Sequence, residues 1–179
     1  IESELPRILE GYEPKKVFLV TGKDSYASWG AADKINPLLG NYVHFNDFNV
    51  NPKIEDIRRG IEIFRRNNCD TVIAVGGGSV MDFAKAVNIL SAHPEDPEKY
   101  VTKESSLSSF GMPLIAIPTT AGTGSEATHF AVVYIDKKKF SLTHEHMLPD
   151  DVILDASLTE NLPSYITATT GMDAFCQAM

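Results

Sequence analysis

A short apolar run that breaks into three glycines and resumes as an amphipathic pattern leaves few folds open to this chain. The run is Asp70–Lys85, DTVIAVGGGSVMDFAK. Thr71–Val75 is rich in β-branched residues and bounded by Asp70 and Gly76–Gly78, which predicts a buried strand. From Ser79 onward Val80, Ala84 and Val87 recur at i, i+4 and i+7, and Ser79-x-x-Asp82 matches a capping box, so a helix is predicted. A strand, a glycine turn and a helix N-terminus together present free backbone N–H groups beside the positive end of a helix dipole. That arrangement suits an anion, phosphate above all. A tight turn that needs glycine for a positive φ would explain the same residues.

The rest of the chain reads as strands alternating with helices. Lys16–Thr21 is a first strand with little alternation, as expected of one covered on both faces. Gly22–Ser25 is a turn, with Ser25 as N-cap of a helix reaching Leu38. Tyr42–Phe45 is a second strand, and Ile54, Ile57, Ile61 and Phe64 mark a helix over Lys53–Arg66. The helix after the glycine turn ends near Ser91, and the polar stretch His93–Ser109 reads as a surface connection. Leu114–Ile117 is a buried strand closed by Pro118. Val132–Asp136 and Phe140–Leu142 bracket Lys137–Lys139 as a hairpin, Val152–Leu154 is a short strand, and a last helix begins at Ser164. This pattern predicts an α/β fold on a parallel sheet.

Bulk properties set the outer limits. The chain has 179 residues, is 43% hydrophobic and carries a net charge of −8. Those values fit a globular protein with a real core and argue against nonspecific binding to nucleic acid or an anionic membrane. No segment reads as membrane-spanning or as a signal peptide. Cys69 and Cys176 are too few and too far apart for a disulfide framework and read as reduced thiols, so a cytoplasmic protein is expected. Opening on Ile1 and closing within a helical pattern at Met179, the sequence reads as part of a longer chain.

A second motif, Pro118–Glu126 (PTTAGTGSE), follows the Leu114 strand and so falls at the carboxyl end of the sheet, where ligands of open α/β folds collect. Its hydroxyls and backbone amides suit phosphate, ribose and amide groups rather than a metal; an ordinary turn-rich loop leading into a helix near Ser125 is the alternative. Two such loops on one sheet can face one ligand. The commonest dinucleotide fingerprint is absent, because Met81 stands where G-x-G-x-x-G has its third glycine, and no Gly-Lys-Ser/Thr makes a P-loop.

GGGSVMDFAK (Gly76–Lys85) together with PTTAGTGSEAT (Pro118–Thr128) resembles the iron-containing, group III alcohol dehydrogenases, which share the dehydroquinate synthase-like fold. The likeness runs through Asn51-Pro52 to Gly171-Met172-Asp173-Ala174. It implies an α/β nicotinamide-cofactor domain over 1–163, with 164–179 opening an all-helical domain and a divalent metal, iron or zinc, between the two. Carried over residue by residue, Gly77, Gly78 and Ser79 correspond to the pyrophosphate loop. Asp82 is the motif acid, structural or ligand-contacting. Thr119, Thr120 and Thr123 are threonines near the adenine and nicotinamide, and Asn51 is a cofactor-contacting asparagine. Lys139 stands where members place a lysine near the cofactor, or is a solvated charge. Leu158 lines the cofactor cleft or belongs to the core.

The resemblance also frames two departures. Members that prefer NAD often carry an aspartate after the first strand, where this chain has Gly22; with Lys23 and Ser25 nearby, NADP is admitted beside NAD. The family's metal motif is an aspartate followed at i+4 by a histidine, one above the other on a helix face. Here the pair is Asp173 and Gln177, expected as catalytic and metal-binding residues. Gln177 could ligate through its carbonyl oxygen or hold a water or substrate group, although imidazole suits iron or zinc better. His144 and His146 fall outside ligand positions and read as surface or packing residues. The implied activity is interconversion of a small-molecule alcohol with an aldehyde or ketone by hydride transfer, in an expected homo-oligomer. Asp-Ala-x-x-Gln-Ala with Thr128–Tyr134 (THFAVVY) also resembles the branch that reduces phosphonoacetaldehyde. A glycerol dehydrogenase or dehydroquinate synthase relative, and a catalytically silent dinucleotide-binding domain, are the alternatives.

Overall fold

The computed structural model describes residues 1–179. Its strands are β1 (Val17–Thr21), β2 (Tyr42–Phe45), β3 (Thr71–Gly76), β4 (Leu114–Pro118), β5 (Phe130–Ile135), β6 (Lys138–Thr143) and β7 (Asp151–Val152). Five of them form a parallel sheet in the order β2-β1-β3-β4-β7, while β5 and β6 make a separate antiparallel hairpin. The chain steps outward from β1 to β2 and then crosses back to β3. The order therefore reverses between β1 and β3, and a crevice opens there at the carboxyl ends of the strands.

The helices are α1 (Glu4–Tyr12), α2 (Ser25–Ser28), α3 (Ala31–Ile35), α4 (Ile54–Arg66), α5 (Gly78–Ser91), α6 (Pro97–Val101) and α7 (Ser164–Ala178). Alternate strand residues point to opposite faces, and both faces are covered. Phe18, Val20, Val72, Ala74, Leu114 and Ala116 pack under α4, α5 and the hairpin. Their neighbours Val17, Leu19, Ile73, Val75, Ile115 and Ile117 pack under α1, α2 and α3. This two-sided burial is why β1, β3 and β4 are apolar throughout instead of alternating. It brings α5 and its glycine turn to the middle of the sheet.

Several sequence expectations need correcting. The single helix expected from Ser25 to Leu38 is two short helices and a 3-10 turn (Asn36–Leu38), with Asp24 and not Ser25 at the first cap position. Gly30, at φ +84, takes a left-handed conformation that interrupts the helix, and Pro37 has no N–H to continue it. The stretch His93–Ser109 is more than a surface connection: Asp96 caps α6, and His93, Tyr100 and Val101 are buried. The His93 ring nitrogens meet the Ile89 carbonyl at 2.8 Å and the Ser108 N–H at 2.8 Å. Ser125 opens only a 3-10 turn, Ser125–Ala127, and the last sheet strand stops at Val152. The amphipathic α1, with Leu5, Ile8, Leu9 and Tyr12 at helical spacing, went unread. No helix is long and apolar enough to cross a membrane.

Helices α4 and α5 meet at Gly60. A Cβ there would lie 2.7 Å from Cζ of Phe83 and from Cγ2 of Val87. Phe83 has little freedom to swing away, because its ring packs against both Phe45 (5.1 Å) and Phe48 (4.2 Å). In an open helix Gly→Ala would stabilise by about 1 kcal/mol, but overpacking costs about 1–3 kcal/mol, so Gly60→Ala should be destabilising by ~1 kcal/mol net. Urea unfolding of the intact protein checks the sign; a more stable variant would mean the interface is loose.

Candidate functional site

The ladder between β3 and β4 stays in register to its last pair, Gly76 with Pro118, and the Thr119 N–H continues it to the Gly76 carbonyl at 3.0 Å. The two loops that follow therefore leave the sheet side by side at the same height. They touch through the glycines. A Cβ on Gly77 would sit 3.0 Å from Thr120 Oγ1, and one on Gly78 would sit 3.2 Å from Thr123 Cγ2. Gly77 and Gly78 thus make room for the close approach of the Thr120 and Thr123 side chains; neither has a positive φ. Gly77 occupies the N-cap position of α5, and its carbonyl accepts from the N–H groups of Val80 and Met81. The first-turn amides of Gly78 and Ser79 have no partner within the helix, which leaves donors at a positive helix end.

The expected capping box does not form: α5 has no side-chain cap. The Ser79 hydroxyl instead accepts from the backbone N–H of Asn51 at 3.2 Å. Asn51, at φ +61, sits in the left-handed region that asparagine tolerates. Its loop is anchored by Asp56, a buried carboxylate in the first turn of α4 that accepts from Asn49 N and Nδ2 at 3.1 and 2.9 Å. Burial alone would raise the Asp56 carboxyl, but hydrogen bonds from Asn49, Arg59 and Lys53 outweigh it and hold it below its usual range. Tyr134 N donates to Pro52 O at 2.9 Å, which joins this loop to the hairpin. A cleft of about 550 Å3 there, lined by Asn51, Lys53, Tyr134 and Lys137 among others, adjoins the site through Asn51.

The remaining predicted residues divide. Thr119 is buried, while Thr120 and Thr123 are half-buried against the glycines. Asp82 lies on α5 one turn past Gly78, beside Val132 of the hairpin; burial pushes its carboxyl up to about 6. Lys139 is exposed on β6, and its charge acts on Asp82. Gly22 follows β1, and a Cβ there would run into the Ser25 hydroxyl, the end of a flexible side chain. The Gly22 carbonyl accepts from Thr21 Oγ1 at 3.2 Å, and that oxygen lies 2.7 Å from His44 Nε2. Leu158, 1% exposed, belongs to the core and has almost no surface to offer a cleft. His144 caps the 3-10 turn Glu145–Met147, and the His146 ring lies 3.6 Å from that of Phe110, both in packing roles.

Asp173 and Gln177 do share one face of α7: Gln177 Nε2 donates to Asp173 Oδ2 at 3.0 Å. Helix α7 buries none of its residues. It meets the threonine loop at Gly122, at φ +106, where a Cβ would collide with the Thr170 carbonyl and come within 3.3 Å of Ala174 N. No three His, Cys, Asp or Glu side chains converge in the structure. The donor set is one carboxylate and one amide oxygen, so it fits two positions of a divalent cation's shell and leaves the others to groups elsewhere.

Sequence reasoning missed Lys85, a lysine 1% exposed within α5. Its ammonium donates to Ser125 O, Thr128 O and Thr128 Oγ1, and burial pushes it down to about 8. The signal was present: a lysine set among Ala84, Ala86 and Val87, seven residues after Gly78. Asp56 carried no comparable signal, because an acid in a first helical turn is ordinary.

Comparison with known proteins agrees with this geometry. The family model for iron-containing alcohol dehydrogenases matches residues 2–156. "Probable alcohol dehydrogenase EutG" of Escherichia coli K12 is 46% identical over 72% of this chain and 33% of its own length. The NADPH-dependent butanol dehydrogenase of Clostridium saccharobutylicum is 34% identical over 96% of this chain and 46% of its own. The crystal structure of sulfoacetaldehyde reductase from Bifidobacterium kashiwanohense in complex with NAD+ superposes with a TM-score of 0.90 at 35% identity, over 98% of this chain and 47% of that one. The chain spans about half or less of the length of these relatives. With two glycine- and threonine-rich loops interlocked at the carboxyl ends of neighbouring strands of a parallel sheet, it belongs to the iron-containing alcohol dehydrogenase family.

Proposed function

We propose that this chain supplies the nicotinamide-binding half of an oxidoreductase that interconverts an alcohol with an aldehyde or ketone, residues 164–179 opening a second, helical domain. The observation that carries the reading is the interlock of Gly77 with Thr120 and Gly78 with Thr123, which sets two donor-rich loops at one crevice. The free amides of Gly78 and Ser79 suit the pyrophosphate, with Thr120, Thr123 and Asn51 beside them. When bound, the nicotinamide supplies the hydride and a divalent metal the Lewis acidity that polarises the substrate carbonyl. The protein's part is to orient the reactants and exclude water. Asp173 and Gln177 would supply two metal ligands.

Two finer assignments follow. Gly22 in place of an acid removes a charge that would repel a 2′-phosphate, which supports NADPH as an accepted cofactor. An NADPH-dependent relative and an NAD+-bound one stand on either side of that choice. The substrate proposed is a short anionic aldehyde such as phosphonoacetaldehyde, a reading supported by the likeness to a sulfoacetaldehyde reductase.

The full-length protein with divalent metal, NADPH and short aldehydes should consume NADPH, fastest with the anionic aldehyde. Absence of turnover with every metal and both cofactors would leave a silent dinucleotide-binding protein. In Gly22→Asp, once Ser25 turns aside, calorimetry should show NADPH weakened relative to NADH by about tenfold, the cost of a like charge beside the phosphate. An unchanged ratio would remove Gly22 from cofactor choice. Gln177→His should tighten zinc binding by about tenfold or more, since imidazole is the better donor; equal affinity would place the metal elsewhere.

A further inference from the structure

We infer that Lys85 is the positioning residue that locks the threonine loop onto the helix of the glycine turn, so that cofactor affinity depends on a charge that touches no cofactor. The inference rests on the nicotinamide reading above.

Gly78, Asp82 and Lys85 stand at i, i+4 and i+7 of α5, one stripe of its surface. Each member of the stripe meets the segment that contains the second motif. Gly78 faces Thr123, Asp82 lies beside Val132, and Lys85 reaches between them to Ser125 and Thr128, with Phe130 O at 3.4 Å. The three ammonium protons thus serve four oxygens, Thr128 Oγ1 at 3.1 Å among them, and none is a carboxylate. This matters because a buried lysine is usually bonded directly to an acid, whereas Asp82 and Glu126 act on this one only through space. Here the charge is spread over backbone carbonyls of an irregular stretch, Ser125–Phe130, that has little ladder bonding of its own. Take the ammonium away and the carbonyls of Thr128 and Phe130 lose it as a donor, while Ser125 O keeps only the Thr128 hydroxyl. The stretch would then swing from α5 and carry Thr120 and Thr123 away from the glycines. Lys85 itself, two turns into the helix and 1% exposed, has no surface to offer a nucleotide.

The test uses the full-length protein and Lys85→Met, which keeps an unbranched side chain only one atom shorter and removes the charge. Hydrogen exchange should quicken by about tenfold over 119–130 while β3 stays protected, as local opening predicts. The Kd for NADPH and NADH should rise by about tenfold, the loss expected for a charged hydrogen-bond donor, with kcat at saturating cofactor within about twofold of wild type. Should Lys85→Met fail to fold, Thr128→Val removes one acceptor at nearly constant volume and should weaken cofactor binding by about threefold with the same local exchange. Unchanged affinity in either folded variant, or stability lost evenly with no selective exchange over 119–130, would overturn the role of Lys85. If the wild type binds neither nucleotide, the cofactor reading fails first, and the exchange pattern separately decides whether Lys85 holds the loop.

Discussion

Everything at the candidate site depends on the parallel pairing of β3 with β4 up to its last rung. Because Gly76 pairs with Pro118, the next residues of both strands leave the sheet at one height. Two loops launched together compete for the same space, and a backbone without side chains lets both stay without a tight contact. Gly77 and Gly78 supply that backbone, and Thr120 and Thr123 fill the room they leave. The glycines therefore solve a packing problem before they solve a binding one. The free amides of the first turn of α5 are exposed to a ligand only because the glycine surface beside them carries no Cβ.

Around this contact the other loops are tied in turn. Asn51 is held to Ser79, Pro52 to Tyr134, and the hairpin to Asp82, so a displacement of one loop is felt by the rest. Among the polar groups near these ties, Asp56 is buried and expensive to leave unpaired. Asp56 shows the balance in one residue: its burial works against ionisation, and its hydrogen bonds more than compensate. Asp82 and Lys85 fall on the other side of that balance, since burial dominates for both. The site is thus assembled from groups that cost stability when isolated and gain it only when the whole ring of loops is closed.

Much of this was legible in the sequence, and the limits are physical. The buried strands announced themselves as unbroken apolar runs, and α4 and α5 by their periodicity, because two-sided burial and one-sided burial leave different spacings. The hairpin showed in Lys137–Lys139. What failed were the predictions that treated a side chain in isolation. Ser79 looked like a cap, but Asn51 from a loop 28 residues earlier reached it. Ser25 looked like the start of a long helix, but Gly30 adopts a left-handed conformation that local pattern does not reveal. Leu158 was open to a cleft or a core reading, and the 3-10 turn Ala156–Leu158 places it in the core. Lys85 was overlooked because its partners are backbone carbonyls, which no sequence pattern names.

The glycine turn and the Asp173–Gln177 pair represent two kinds of chemistry held in unequal ways. The turn is built into the centre of the sheet, with its neighbours fixed by strand register. The pair lies exposed on α7, a helix with no buried residue, brought to the site where Gly122 admits its backbone. Within the pair the Gln177 amide spends an N–H on the Asp173 carboxylate, which orients both oxygens without neutralising the acid. An imidazole at the same position would bring a softer donor that iron and zinc prefer, whereas the amide brings a hard oxygen that any divalent cation accepts. In the proposed reading the cofactor's place follows from the geometry of the fold, while the side chain at position 177 is one of several donors that would set metal preference.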